Sequence, residues 1–244
     1  MKQLTSDCIN WIKNYFENTP NCNAVIGISG GKDSTVAAAL CKEAIGASRV
    51  IGVLMPNGEQ RDIKDSYEIC NFLGINKLEV NINSVYNEIT RSIFNSGLLI
   101  KNITEQTRLN LAPRIRMTTL YAIAQSINGR VVNTSNLDEG LVGYCTLWGD
   151  NVGDFGPLRN LHVSEILEIG DDLEIPYSLV HKETIDEFTG KTDEQQLGFS
   201  YLSIEKLYEL NAIHSTTEEQ QKIMKRIKDT SWKKSIVNIP SFQK

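Results

Sequence analysis

Apolar positions along this chain fall into short blocks whose period changes from one segment to the next. Over 7–16, Cys8, Ile9, Ile12, Tyr15 and Phe16 recur at helical spacing. A turn at Thr19-Pro20-Asn21 leads into a short apolar run at 24–28, which predicts a buried strand. After Ser29-Gly30-Gly31 the alanine-rich stretch 34–45 reads as a helix, with Gly46 as its C-cap. The run 50–55 predicts a second buried strand, closed by Pro56-Asn57-Gly58. Over 62–72 a helix carries Ile63, Tyr67, Cys70 and Leu73 on one side and stops at Gly74. A third strand is expected at 78–82, then helices at 85–94 and 110–127 and a fourth strand at 130–133. Asn110 is the expected N-cap of the longer helix, with Pro113 in its first turn. The stretch 145–156, rich in Gly and Asp, predicts a functional loop, and the last third reads as helices at 164–170, 203–210 and 217–228.

Strands alternating with helices at this spacing predict an α/β fold: a doubly wound, mostly parallel sheet with helices on both faces. One domain covering 1–244 is expected, since a chain of this length can bury an ample core. Ligands of such sheets gather beyond the carboxyl ends of the strands, at a switch in strand order. A composition of 41% hydrophobic and 23% charged residues argues against disorder. The balance of 25 basic and 30 acidic residues, −5 net, lacks the footprint of a nucleic-acid binder. No apolar run approaches the ~18 residues of a membrane span, and the start of the chain, with its early Asp7, has no signal core. A cytoplasmic location is the expectation, without nucleic-acid or membrane partners. Five cysteines without a CxxC pair fit a reducing compartment, and three scattered histidines do not spell a zinc site.

The decisive segment is Gly27-Ile28-Ser29-Gly30-Gly31-Lys32-Asp33-Ser34-Thr35, which leaves a predicted strand and enters a predicted helix. Amides at a helix start have no intrahelical partner, and adjacent glycines let an anion come close to the backbone. With the positive end of the helix dipole they form an anion pocket. Ser29, Ser34 and Thr35 add hydroxyls, and Lys32 adds a charge. Walker A is excluded because Asp33 follows Lys32, and the dinucleotide fingerprint because Ser29 occupies its second glycine position. An acid beside phosphate needs a bridging cation, so Asp33 implies Mg²⁺.

Ser-Gly-Gly-x-Asp-Ser resembles the pyrophosphate loop of the N-type ATP pyrophosphatases, of the adenine nucleotide alpha hydrolase-like fold. Further segments narrow the resemblance to the ammonia-dependent NAD synthetases. They are the Arg114-Ile115-Arg116-Met117 helix, Thr134-Ser135-Asn136-Leu137-Asp138-Glu139, Gly143 to Asp150, Pro157-Leu158, and Asp193-Glu194 through Leu197-Gly198 to Tyr201. The resemblance runs from Gly27 to near the C-terminus. It implies ATP-dependent amidation of deamido-NAD by ammonia through an adenylated carboxylate, releasing AMP and pyrophosphate. It also implies that Gly27, Ile28, Ser29, Gly30, Gly31, Lys32, Asp33 and Ser34 hold the ATP phosphates, with Thr134 and Thr184 as further ATP contacts. Asp33 and Lys32 would be catalytic, and Asp33 and Glu139 would hold Mg²⁺. Arg114, Asp154 and Lys233 would contact deamido-NAD. The family is typically homodimeric, with the dinucleotide site at the interface. No room is left for a glutaminase domain, so free ammonia is the expected nitrogen source.

Several positions depart from that pattern. Leu147 and Val163 stand where lysines are common, Trp232 replaces a histidine before Lys233, and Glu183 replaces a proline. The loop 187–191 is shortened. Lys32, Arg159 and His162 are cations that could take the place of the missing lysines. Adenylation and amidation of a different small carboxylate is therefore a second reading, and a nucleotide-binding module without turnover a third.

Overall fold

A computed structural model describes residues 1–97, 103–183, 190–209, 217–235 and 239–243. Among them, four strands form one wholly parallel sheet: β1 (Asn23–Gly27), β2 (Val50–Leu54), β3 (Asn76–Glu79) and β4 (Gly129–Val131), in spatial order β3-β2-β1-β4. Isolated parallel bridges, Val132 with Phe155 and Gly156 with Ser241, carry backbone pairing past β4.

Period-two alternation splits the strands between two cores. Ala24, Ile26, Val50 and Leu54 face one side, where α1 (Gln3–Phe16), α2 (Lys32–Ile45), α3 (Ile63–Leu73) and α7 (Val163–Asp172) pack. Val25, Val53 and Val131 face the other, covered chiefly by α5 (Glu105–Ser126), with Tyr86 and Ile89 of α4 (Asn83–Asn95) packed beside it. A third, smaller cluster joins α6 (Leu137–Val142), α10 (Tyr201–Glu209) and α11 (Glu218–Thr230). Short helices α8 (Tyr177–Val180) and α9 (Asp193–Leu197) complete the described elements, with a 3-10 turn at Ser231–Ser235.

The expected doubly wound parallel sheet is present. Most helices differ from the sequence expectation by only a few residues at their ends. Three differences have clear causes. α5 begins at Glu105, with Thr104 as its cap through a 3.2 Å bond from the Thr107 amide, so Asn110 lies inside the helix. Pro113 consequently sits in mid-helix, where the long apolar face packed on β1 and β4 offsets its missing donor. The third strand is Asn76–Glu79 instead of 78–82, and its four residues are exposed at the sheet edge, so burial gave no apolar signal there. α6 and α9 are too short for a periodic signal to reveal.

Strand order places the switch point between β1 and β4. The chain leaves β1 toward α2 on one face, while β4 is reached through α5 on the other. Loops 27–34 and 132–139 therefore flank one crevice.

Candidate active site

Gly30 has φ +87°, a conformation that strains any L side chain, and a Cβ there would come within 3.3 Å of Ser66 Oγ. The turn it permits is tied to the start of α2. Ser34 Oγ donates to the Gly31 carbonyl (3.1 Å) and receives the Ser29 amide (3.3 Å), while Thr35 Oγ1 donates to the same carbonyl at 2.8 Å. Lys32 and Asp33 open the helix, with Lys32 Nζ 3.1 Å from Asp33 Oδ2.

From β4 the chain runs through Asn133 and Thr134 into α6, which begins with a capping box. Asn136 Oδ1 accepts from the Glu139 amide at 2.9 Å, and Glu139 Oε2 accepts from the Asn136 amide at 3.1 Å. Asn136 Nδ2 also donates to Asp33 Oδ1 at 3.3 Å. One asparagine thus holds both carboxylates, and the structure brings Asp33 and Glu139 together. Burial, and then the charge of Asp33, push the Glu139 carboxyl well above the usual range against the pull of Lys32. Burial by itself would lower Lys32, but Asp33, Glu139 and Asp193 outweigh it and hold the ammonium at about 12. Lys32 also lies over the Tyr201 ring, 5.2 Å from its centroid. Asp193 is fixed by the Tyr144 (3.0 Å) and Tyr201 (3.2 Å) hydroxyls, and burial raises its carboxyl.

Two cavities border this seam. One, of about 330 Å³, is bordered by Gly27, Ile28, Ser29, Thr134, Met117 and Arg116. The other, of about 390 Å³, is bordered by Ser135, Glu139, Cys145, Arg159, Lys233 and Lys234. Lys233 Nζ donates to the carbonyls of Gly143 (2.8 Å) and Cys145 (2.9 Å).

Two of the predicted dinucleotide contacts, Arg114 and Asp154, border neither cavity of the single chain. Arg114 is exposed and donates from Nε to the Leu147 carbonyl at 3.1 Å, whereas Arg116, two residues on, reaches the Met55 carbonyl (3.0 Å) beside the smaller cavity. Asp154 braces the sheet: Oδ2 accepts the Val131 amide at 2.7 Å, and its own carbonyl accepts the Tyr15 hydroxyl at 3.1 Å. Thr184 lies outside the described residues. Of the proposed replacement cations, His162 is buried with Nδ1 2.7 Å from Asp138 Oδ1. With Glu205 the three form a compact group, in which Asp138 accepts the Val163 amide (2.8 Å) and Glu205 the Ser164 amide (3.0 Å). Those contacts serve the start of α7 rather than either cavity.

Sequence reasoning assigned no role to Asn136, Asp193 or Tyr201. The spacing Asn136-x-x-Glu139 is a capping-box signal that could have found the first. Nothing local announces that α9 and α10 fold back over Lys32.

A glycine turn at a helix start, paired across a switch point with an acid-bearing loop, defines a nucleotide-binding α/β protein built for a polyphosphate. Comparison with known proteins narrows this. The NAD synthase family model matches residues 4–238, and the chain belongs to that family. It is 38% identical over 206 residues to the NH(3)-dependent NAD(+) synthetase of Thermococcus sibiricus, covering 84% of this chain and 79% of the relative. The corresponding protein of Finegoldia magna is 33% identical over 244 residues, covering 99% and 97%. Among solved structures, the NMN synthetase from Francisella tularensis superposes with a TM-score of 0.85 at 28% identity, covering 98% of each chain. The NH3-dependent NAD synthetase from Campylobacter jejuni gives 0.78 at 26%, covering 98% and 99%.

Proposed function

We propose that this chain is an ammonia-dependent ligase that converts deamido-NAD to NAD, with ATP consumed to AMP and pyrophosphate. The observation that carries the reading is the Asn136 bridge, which holds Asp33 of the glycine turn and Glu139 of the β4 loop at one edge of the sheet. In this reading the amides of 27–34 and the Ser29 and Ser34 hydroxyls take the ATP phosphates, and Thr134 borders the same cavity. Two hard carboxylate donors, one of them destabilised by burial and its neighbour, suit Mg²⁺. When bound, the ion would supply positive charge to the phosphate oxygens.

An oxygen of the nicotinate carboxylate attacks the α-phosphorus of ATP, and the bond to the departing pyrophosphate breaks. Lys32 is oriented by Asp33 and kept protonated, so it offers a fixed charge to that leaving group. Ammonia then attacks the acyl-adenylate carbonyl and expels AMP. No side-chain nucleophile is required; the chain orients reactants and offsets charge. The Finegoldia magna relative, named as NH(3)-dependent and matched over 97% of its length, supports free ammonia as the nitrogen source. Five free cysteines support a cytoplasmic location. A homodimer with the dinucleotide site at its interface belongs to the same reading: Arg114 and Asp154 border neither cavity of the single chain, so their contacts with the dinucleotide would be completed there.

Purified protein with ATP, Mg²⁺, ammonium and deamido-NAD should yield NAD and AMP in equal amounts; ATP binding without AMP release on this acceptor would refute the reading. A second reading, amidation of nicotinate mononucleotide, is favoured by the Francisella likeness and by Leu147 and Trp232. Equal concentrations of the two acceptors in one assay decide between them by their kcat/KM ratio.

A further inference from the structure

The larger cavity contains a feature that the proposed chemistry at Asp33 and Glu139 does not use. Arg159 follows the Pro157-Leu158 turn, and its stem crosses Gly156 so closely that a Cβ there would lie 2.6 Å from Arg159 Cδ. The guanidinium is thereby held over the cavity. Nη1 donates to Asn133 Oδ1 at 3.2 Å and to the Asn151 carbonyl at 3.5 Å. Both acceptors are neutral. Burial draws the guanidinium down, opposed by the Cys145 thiol, and no carboxylate among the described residues lies within ion-pair distance of it. Lys233 is likewise held by two carbonyls, and Lys234 borders the same space with no ion pair among the described residues.

Three cations thus border one cavity, and among the described residues none of them has a carboxylate within ion-pair distance, although the chain carries five more acids than bases. Asp150 lies near enough to Lys233 for their charges to act on each other. A half-desolvated guanidinium lacking a counter-ion is costly unless a ligand supplies one, and its planar fork fits a phosphate better than a single carboxylate oxygen. A volume of about 390 Å³ is in the range of small-ligand pockets. Glu139 borders the same cavity and would repel an anionic group, which favours a seat at Arg159.

We infer that Arg159, with Lys233 and Lys234, receives the phosphate of the acceptor nucleotide and so selects a phosphorylated nicotinate riboside over the free riboside. The inference rests on the proposed acceptor class. Arg159 contacts the substrate but takes no part in bond making, and its effect belongs in acceptor binding, not in ATP binding or turnover.

The test is calorimetric titration of nicotinate mononucleotide and nicotinate riboside, which differ only by the phosphate. Wild-type protein should bind the mononucleotide about tenfold or more tightly than the riboside, as expected for a charge-assisted contact. Arg159→Met should abolish most of that ratio by weakening the mononucleotide alone, and Arg159→Lys should restore part of it. ATP affinity should stay within about twofold. An unchanged ratio, equal weakening of both ligands, or wild-type protein that binds neither overturns the inference. Should Arg159→Met fail to fold, Lys234→Gln, which removes no hydrogen bond seen among the described residues, should still lower the ratio about threefold; no change would count against the site. NAD formation by wild-type protein is measured separately. NAD formed with a ratio indifferent to Arg159 sinks only this inference. A responsive ratio without NAD formation sinks only the proposed reaction.

Discussion

Asp33 and Glu139 each depend on Asn136, but through different bonds. Its side-chain amide reaches Asp33, while its backbone and side-chain oxygen close the capping box on Glu139. Replacing Asp33 by Asn keeps the shape and removes the charge, so turnover should fall by more than a hundredfold, in the range of lost electrostatic contacts. Lys233→Ala should cost far less and act mainly on acceptor KM; equal, small effects would contradict the assignment. Asn136→Ala should lower the thermal midpoint by the equivalent of about 1 kcal/mol, the loss of one cap, and reduce kcat as Asp33 loses its partner. The thiols offer a further residue-scale check. Burial raises Cys8 to about 12 and Cys41 beyond it, so both stay protonated and unreactive at pH 8. Cys145 is half-buried at the larger cavity, and a thiol reagent on native protein should label it before those two, with acceptor slowing the reaction. The glycine turn was legible from its letters. Tyr201 and Asp193 were not, because they reach Lys32 from far along the chain.

Among the elements, α6 is the one the periodicity missed and the site most needs. Its six residues cannot display an amphipathic period, yet its capping box fixes Glu139. The loop before it is locked by Gly153, where a Cβ would meet the Asn133 amide nitrogen at 2.8 Å. That neighbour is backbone and cannot swing aside, so Gly153→Ala should destabilise by about 1–3 kcal/mol, read from chemical denaturation. Lys182, just beyond α8, pairs with Asp62 (3.1 Å) and Asp65 at the start of α3. Burial opposes the Asp62 charge, but Gln60 and Lys182 prevail and hold its carboxyl below the usual value; the same acids raise Lys182 against its own burial. Asp62 therefore contributes stability above its unfolded pKa, near 3.9, and loses it as pH falls through the lower folded value. Lys182 contributes below its unfolded pKa, near 10.4, and loses that as pH rises through the higher folded value. The groups are about a third exposed or less, so Lys182→Met should cost about 0.5 kcal/mol at pH 7 and nothing near pH 2. A cost that persists in acid would show packing, not charge, to be responsible.

At the scale of the whole molecule, two cores flank the sheet and a third, smaller one lies beneath α10 and α11. α2 is buried along most of its length, whereas α11 buries Ile223 alone. Hydrogen exchange should therefore be slowest in β1 and α2 and much faster in α11, and ATP should slow exchange in α6 and α10 more than in α4. Uniform protection along the chain would contradict this division. Light scattering should give twice the monomer mass, and a monomer at micromolar concentration would remove the proposed interface.

The strand-and-helix alternation, the buried runs at β1 and β2 and the glycine turn follow from local pattern, because burial on both faces and free amides at a helix start leave their mark on neighbouring residues. Strand order follows from no local pattern. Tertiary structure alone decided that β4 lies beside β1, that Glu139 meets Asp33 through Asn136, and that Arg159 and Lys233, 74 positions apart in number, border one cavity. These are contacts between distant segments, set by which faces of the sheet each helix can cover, and they leave no mark on adjacent letters.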